Sequence, residues 1–237
     1  MFGEEVFRSG TLEMPTQPWE GLEQATYWTD LPANRIVVLV AVVLMVANLL
    51  DYIRLMPALL FSADRSRGAE MLEHSLGLSR TRNLTALVYL LPLCITIDRY
   101  AAARPDFWSA IPPQWSLAAT TGMTVAALLL RRLCYVLFRP RQLSGESFSA
   151  ILNNPYTYLL LAAPILFLTM GAIAIFHLPA MVGWHLILAE LGLAWLFAIV
   201  RSGQILSKRC SGLSTFLYLC GLEFLPAAIM VAVMMLF

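Results

Sequence analysis

The sequence predicts an all-α fold, a polytopic transmembrane helix bundle of about six spans with both termini outside. Three observations predict it. Hydrophobic residues make up 59% of the 237-residue chain and charged residues 13%, whereas an ordinary soluble domain has about 45–50% and 25%. Apolar runs of membrane-crossing length alternate with polar connectors, and mean hydropathy is +0.71. Basic residues crowd into alternate connectors, the asymmetry that orients membrane proteins.

Residues 1–34 read as an acidic extracytoplasmic tail, with Glu4, Glu5, Glu13, Glu20, Glu23 and Asp30 against Arg8. The tail lacks the basic start and apolar core of a secretory signal peptide. Trp19, Tyr27 and Trp28 gather near its end, where aromatic rings suit the membrane–water interface; a loop packed on the bundle accounts for them equally. Residues 35–237 form the transmembrane domain. Its first span, 35–53, ends with Asn48, Asp51 and Arg54 at three-residue spacing, hence on one helical face. Either Asp51 and Arg54 pair with each other, or the face opens as a polar vestibule to the cytoplasm.

Residues 55–83 are a connector with a partly amphipathic surface helix, on which His74 is a surface residue. The second span, 84–98, is short and interrupted by Pro92; an interfacial turn with Trp108 and Trp115 comes next. In the third span, 115–130, Ala118, Gly122 and Ala126 repeat the small-xxx-small spacing that lets membrane helices approach closely. Arg131 and Arg132 end it, although LCYVLF continues apolar to Arg139. Asn153–Asn154–Pro155 marks a helix start ahead of the fourth span, 156–176, which Pro164 loosens. A tight turn, His177 to Pro179, leads into the fifth span, 180–200. The sixth is 212–237.

Connectors after the first, third and fifth spans hold Arg54, Arg65, Arg67, Arg80, Arg82, Arg131, Arg132, Arg139, Arg141, Arg201, Lys208 and Arg209, twelve of the 16 basic residues. Such connectors stay cytoplasmic, which puts both termini outside. The basic set is fifteen Arg and one Lys. Arg suits a headgroup zone because it snorkels and grips phosphate bidentately, and a coding bias toward Arg gives the same count. A net charge of +1 offers no global attraction to nucleic acid.

Two carboxylates fall inside apolar spans, Glu190 in the fifth and Glu223 in the sixth. A carboxylate at that depth costs about 2.5–3.5 kcal/mol on insertion scales, so it faces protein or water and takes a partner. The short connector makes these two spans antiparallel neighbours, and the carboxylates can then meet at mid-membrane. Glu190 shares its helical face with Gly183, Ala194, Phe197 and Arg201; Glu223 shares its face with Phe216, Cys220 and Ala227. Pro226 lacks an amide hydrogen and frees the Leu222 carbonyl. Three readings stay open. The glutamates are protonated donors fixing helix packing, with Tyr, Thr or Ser partners such as Tyr89, Thr120, Thr121 or Tyr158; or they relay protons or bind a cation; or they are ligands or acid/base groups of an intramembrane enzyme.

GxSxG, HExxH, P-loop and Asp-rich diphosphate motifs are absent, which disfavours an enzyme. No cofactor is implied. Cys94, Cys134, Cys210 and Cys220 lack metal-type spacing, and His177 and His185 lack a third ligand, so no metal site is expected. The two three-span halves show no internal similarity, which weakens a transporter.

The order Leu217–Tyr218–Leu219–Cys220, Leu222–Glu223, Leu225–Pro226 resembles the C-terminal YLC-x-LE-x-LP signature of an integral membrane family of unknown function from Bacteroidota. The similarity of organisation runs from the first span onward and leaves out the acidic tail. It implies a multi-pass protein of the bacterial inner membrane and carries no activity with it. Tyr218, Cys220, Glu223 and Pro226 match the signature.

The expected function is a non-enzymatic component of an envelope membrane-protein assembly, embedded in the lipid bilayer and contacting a membrane-protein partner or a second copy. The expected polar core is Glu190, Glu223, Tyr218, Cys220, Pro226 and His185. A small proton- or cation-coupled transporter using Glu190 and Glu223 is the alternative, and an intramembrane lipid-acting enzyme the third.

Overall fold

Described in the computed structural model are residues 28, 30–64, 66–100, 108, 111–138, 143–226 and 228. Every regular element among them is helical, as the composition demands: α1 (Pro32–Asp64), α2 (Ser66–His74), α3 (Leu76–Tyr100), a 3-10 turn (Pro113–Trp115) running into α4 (Ser116–Leu137), α5 (Gly145–Phe176), α6 (Ala180–Ser207) and α7 (Gly212–Leu219), which opens into a π-helical turn (Cys220–Phe224). The protein is all-α.

Among the described residues four stretches are long and apolar enough to cross a membrane: Pro32–Asp64, Pro113–Leu137, Gly145–Phe176 and Ala180–Ser207. The expected second span sits in α3, which is 25 residues long but diluted by Arg80, Arg82, Asp98 and Arg99. Of the expected sixth span the described apolar helix is Gly212–Phe224. Most of residues 225–237 lie outside the described residues, as do Trp19, Tyr27 and nearly all of the acidic tail. With 33 residues, α1 is about 50 Å long, well beyond the roughly 30 Å of a hydrocarbon core. A helix of this length exceeds what a crossing needs, and α2 packs on its C-terminal part.

Prolines inside the helices connect them instead of ending them. Ser144 caps α5, its Oγ accepting the Ser147 amide, and Glu146 in the first turn complements the helix dipole. That cap overrides the expected start at Asn153–Asn154–Pro155, which lies well inside the helix. Pro155 cannot donate to Ile151, and Pro164 cannot donate to Leu160. Both freed carbonyls are claimed by side chains of other helices: Ile151 by Arg131 at 3.2 Å and Leu160 by the Tyr52 hydroxyl at 3.0 Å. At its far end α5 stops on His177, at φ 49°, whose amide bonds the Ile173 carbonyl. Pro179 then opens α6, the tight turn that the sequence predicts.

Four apolar clusters run along the bundle. Near the Arg-rich end Ala69, Tyr135, Ile151, Leu206 and Leu222 join α2, α4, α5, α6 and the π-turn. Tyr52 and Tyr89 stack 4.9 Å apart where α1, α3 and α5 meet. Trp28 packs with Ala41, Ile95 and Leu117, and Ala162, Leu166, Ile173 and Ile187 join α5 to α6. Gly68 permits the α1–α2 hairpin, because a Cβ there would overlap the Phe61 carbonyl.

Two open expectations are narrowed. Of the two readings of Trp28 the packed one holds: it is 7% exposed, and its indole N–H donates to the buried Asp98 carboxylate. Ala118, Gly122 and Ala126 all lie exposed on α4, and a Cβ on Gly122 would meet nothing within 4 Å. Among the described residues, therefore, no helix packs on Gly122.

Candidate functional site: buried charges around Pro155

The polar groups of the Arg-rich end converge on one stretch of α5, Ile151 to Pro155. Arg131 reaches it from α4. Its Nε and Nη2 donate to Glu223 Oε2 and Oε1 at 2.9 and 2.6 Å, a two-pronged ion pair. Its Nη1 donates to the Leu152 carbonyl at 2.9 Å, and Nη2 also reaches the Ile151 carbonyl that Pro155 releases. The Tyr135 hydroxyl, one α4 turn further, donates to Glu223 Oε1 at 2.7 Å, and its ring lies 4.8 Å below the Arg131 guanidinium. Side-chain exposures of 13% for Arg131 and 3% for Glu223 make this a desolvated pair, held by the extra hydrogen bonds that such a pair needs.

The π-turn aims the glutamate. Leu225 donates to the Cys220 carbonyl, five residues back, and Pro226 can donate to nothing. The widened turn breaks the α-helical face expected for Glu223: Phe216 is 62% exposed while Glu223 is buried. Tyr218 packs against the neighbouring apolar cluster, and Cys220 is a half-buried free thiol.

Asn153 and Asn154 extend the same hub in two directions. Asn153 donates to both oxygens of Glu73 at 3.4 and 3.3 Å, and Glu73 pairs with Arg82 at 2.5 Å with side-chain exposures of 4% and 2%. Desolvation holds the Arg82 guanidinium below its ordinary range, against the upward pull of Glu73. Asn154 donates to the Ala198 carbonyl at 2.7 Å and to Ser202 Oγ at 3.2 Å on α6. One turn away Arg201 donates to the carbonyls of Ser62, at 2.9 Å, and Ala63. It thereby supplies the C-terminal cation that α1 lacks in its own last turn, where such a charge is favourable.

A second node lies at the opposite end. Asp98, 1% exposed, accepts from Trp28 Nε1 at 2.6 Å, Ser116 Oγ at 2.6 Å and Thr120 Oγ1 at 2.9 Å. Trp108 Nε1 donates to Ser116 Oγ at 3.2 Å, and Asn34 donates to the Trp28 carbonyl.

The expected polar core is thus divided. Glu223 and Pro226 belong to the Pro155 hub. Glu190 lies elsewhere, between α5 and α6; Thr169 donates to its Oε1, and its Oε2 has no hydrogen-bond partner among the described residues. The two glutamates take separate partners, and none of the four expected partners serves either. His185 is exposed and bonds the Met181 carbonyl on its own helix at 2.6 Å, so it joins no polar core. Asn48 is half-buried with its Oδ1 unpaired. Asp51 and Arg54 are exposed, and no ion pair among the described residues joins them.

Sequence reasoning missed Arg131, Tyr135, Arg82, Glu73 and Asp98. The available signal was the apolar run continuing past Arg131, which puts that arginine inside a helix and not at its end. Arg82, Glu73 and Asp98 sit beside charged or polar neighbours in sequence and resemble connector residues.

Two spaces border the hub. One, of about 10 Å³ beside Arg131, Asn153 and Tyr156, holds about one water. The other is a lateral groove of about 540 Å³ between α3 and α4, floored by α5. Among the described residues no group of three or more His, Cys, Asp or Glu is placed to hold a metal. Comparison with protein-family models, curated proteins and solved structures finds no match.

Proposed function

We propose that this chain is a six-span protein of a bacterial inner membrane, with both termini outside, acting as a non-enzymatic component of an envelope membrane-protein assembly. The observation that carries the reading is the Ala118–Gly122–Ala126 stripe, exposed on α4, where a Cβ on Gly122 would meet no described residue within 4 Å. Small residues at that spacing serve helix–helix contact between membrane segments. Their partner is a second protein or a second copy. The buried carboxylates support a structural role, since Glu223, Glu73 and Asp98 are each held by several donors. The charge asymmetry of the connectors supports the orientation, and the resemblance of Leu217–Pro226 to the Bacteroidota signature supports the inner membrane.

Purification of the tagged chain from native membranes in mild detergent, followed by mass spectrometry, tests this. The expected result is a stoichiometric partner or a dimer that Gly122→Leu releases without loss of the folded chain. A solitary protein in both cases would refute it. A proton-coupled transporter is favoured by one observation, the unpaired Oε2 of Glu190; pH-gradient flux in proteoliposomes that Glu190→Gln abolishes would establish it. A lipid-acting enzyme has less support. The described lining of the lateral groove holds no Asp, Glu, His or Cys, and the Glu73 carboxylate that Ser79 touches is already paired with Arg82.

A further inference from the structure

Neighbouring arginines face opposite ways at the Arg-rich end. Arg82 and Arg131 turn inward to Glu73 and Glu223. Arg80 and Arg132 are exposed, have no ion-pair partner among the described residues, and border the lateral groove. Asn83, whose Oδ1 accepts from Arg82, also lines the groove. Beyond this polar end the walls become apolar in the same direction on both helices, through Leu87 and Leu90 on α3 and Leu129 on α4. From Arg80 to Leu90 the α3 wall runs about 15 Å. A paired positive end continuing into an apolar trough matches an amphiphile with an anionic head. A groove of about 540 Å³ is within the usual size of small-molecule sites, roughly 300–1,000 Å³.

We propose that this groove is a binding site for an anionic phospholipid, its phosphate held by Arg80 and Arg132 and one acyl chain lying along Leu87, Leu90 and Leu129. Arginine grips phosphate with two parallel bonds, and basic pockets between membrane helices on the cytoplasmic side suit such headgroups. No acidic residue among the described lining opposes the charge. The site rests on the membrane placement proposed above and not on the assembly role.

The test reconstitutes the full chain in vesicles of equal parts phosphatidylglycerol and phosphatidylcholine, then counts retained lipid by native mass spectrometry. Phosphatidylglycerol should be retained in preference. Arg80→Gln with Arg132→Gln should weaken its binding by about 30-fold and leave phosphatidylcholine unchanged. Leu87→Trp, which fills the trough and keeps both charges, should lower retention of either lipid. Arg54→Gln, an exposed arginine on α1, should behave as wild type. Equal retention of the two lipids, an equal loss in Arg54→Gln, full competition by soluble glycerol phosphate, or no retained lipid would each overturn the proposal. The last result would mean that another helix or a segment of this chain covers the groove. A chain that fails to float with the vesicles overturns the membrane reading as well, whereas one that floats without retaining phosphatidylglycerol overturns the lipid site alone.

Discussion

Replacing Arg131 with Met keeps an unbranched apolar stem, shorter than arginine, and removes the charge and all four of its hydrogen bonds. Glu223 then keeps the Tyr135 hydroxyl on Oε1, while Oε2 loses its donor. The Ile151 carbonyl, which Pro155 already deprives of a helical partner, loses Arg131 too. Breaking a buried pair from one side costs about 3–5 kcal/mol. Arg131→Met strands the Glu223 carboxylate and should destabilise by about 3–5 kcal/mol. Glu223→Gln keeps two carbonyl acceptors for Arg131 but strands its charge, for a loss of about 1.5–3 kcal/mol, the range for a hydrogen bond to a charged group. Arg131→Met combined with Glu223→Gln removes both charges and should cost less than the two single losses together, by about 2 kcal/mol. Unfolding in mixed micelles titrated with dodecyl sulfate measures all three. Additivity within about 0.5 kcal/mol, the behaviour of independent sites, would refute the claim that these residues act as one unit.

Gly68→Ala drives a methyl group into the Phe61 carbonyl and should cost about 1–3 kcal/mol, the usual range for overpacking; Gly77→Ala, where a Cβ meets nothing within 4 Å, is the neutral control in the same unfolding assay. Trp28→Phe keeps the packed ring and removes the donor to Asp98, which should cost about 1.5–3 kcal/mol; a loss below about 0.5 kcal/mol would mean that the Asp98 node does not hold the start of α1 to α3 and α4.

Much of the fold was legible in residues 35–200, where long apolar runs have few structural alternatives, and the His177–Pro179 turn was readable from local chemistry alone. The candidate site was legible only in part. Glu223 stood out because an isolated carboxylate in an apolar run is costly. Its partner did not, because Arg131 adjoins Arg132, and a pair of arginines after a long apolar run is the usual mark of a span's end. Which of the two turns inward depends on helical phase relative to α5, a tertiary fact. Pro155 misled for a related reason: it is a good first-turn residue, and only the Ser144 cap and the Arg131 guanidinium explain how it sits inside a helix. Asp98 was hidden by its neighbour Arg99, since an Asp–Arg doublet at a helix end resembles a solvated surface pair.

The partners in the Arg131–Glu223 pair are 92 residues apart in the chain, and the acid comes second. At roughly 5–20 residues per second of synthesis, the arginine waits about 5–20 s before its counter-charge exists. Throughout that interval the growing chain carries an unneutralised guanidinium and an open carbonyl at Ile151, and the cluster joining α2, α4, α5 and α6 lacks Leu222. Closure of this hub therefore waits on the synthesis of Glu223. A chain that stops short of it keeps Arg131 without its counter-charge, a lasting mark of an unfinished molecule.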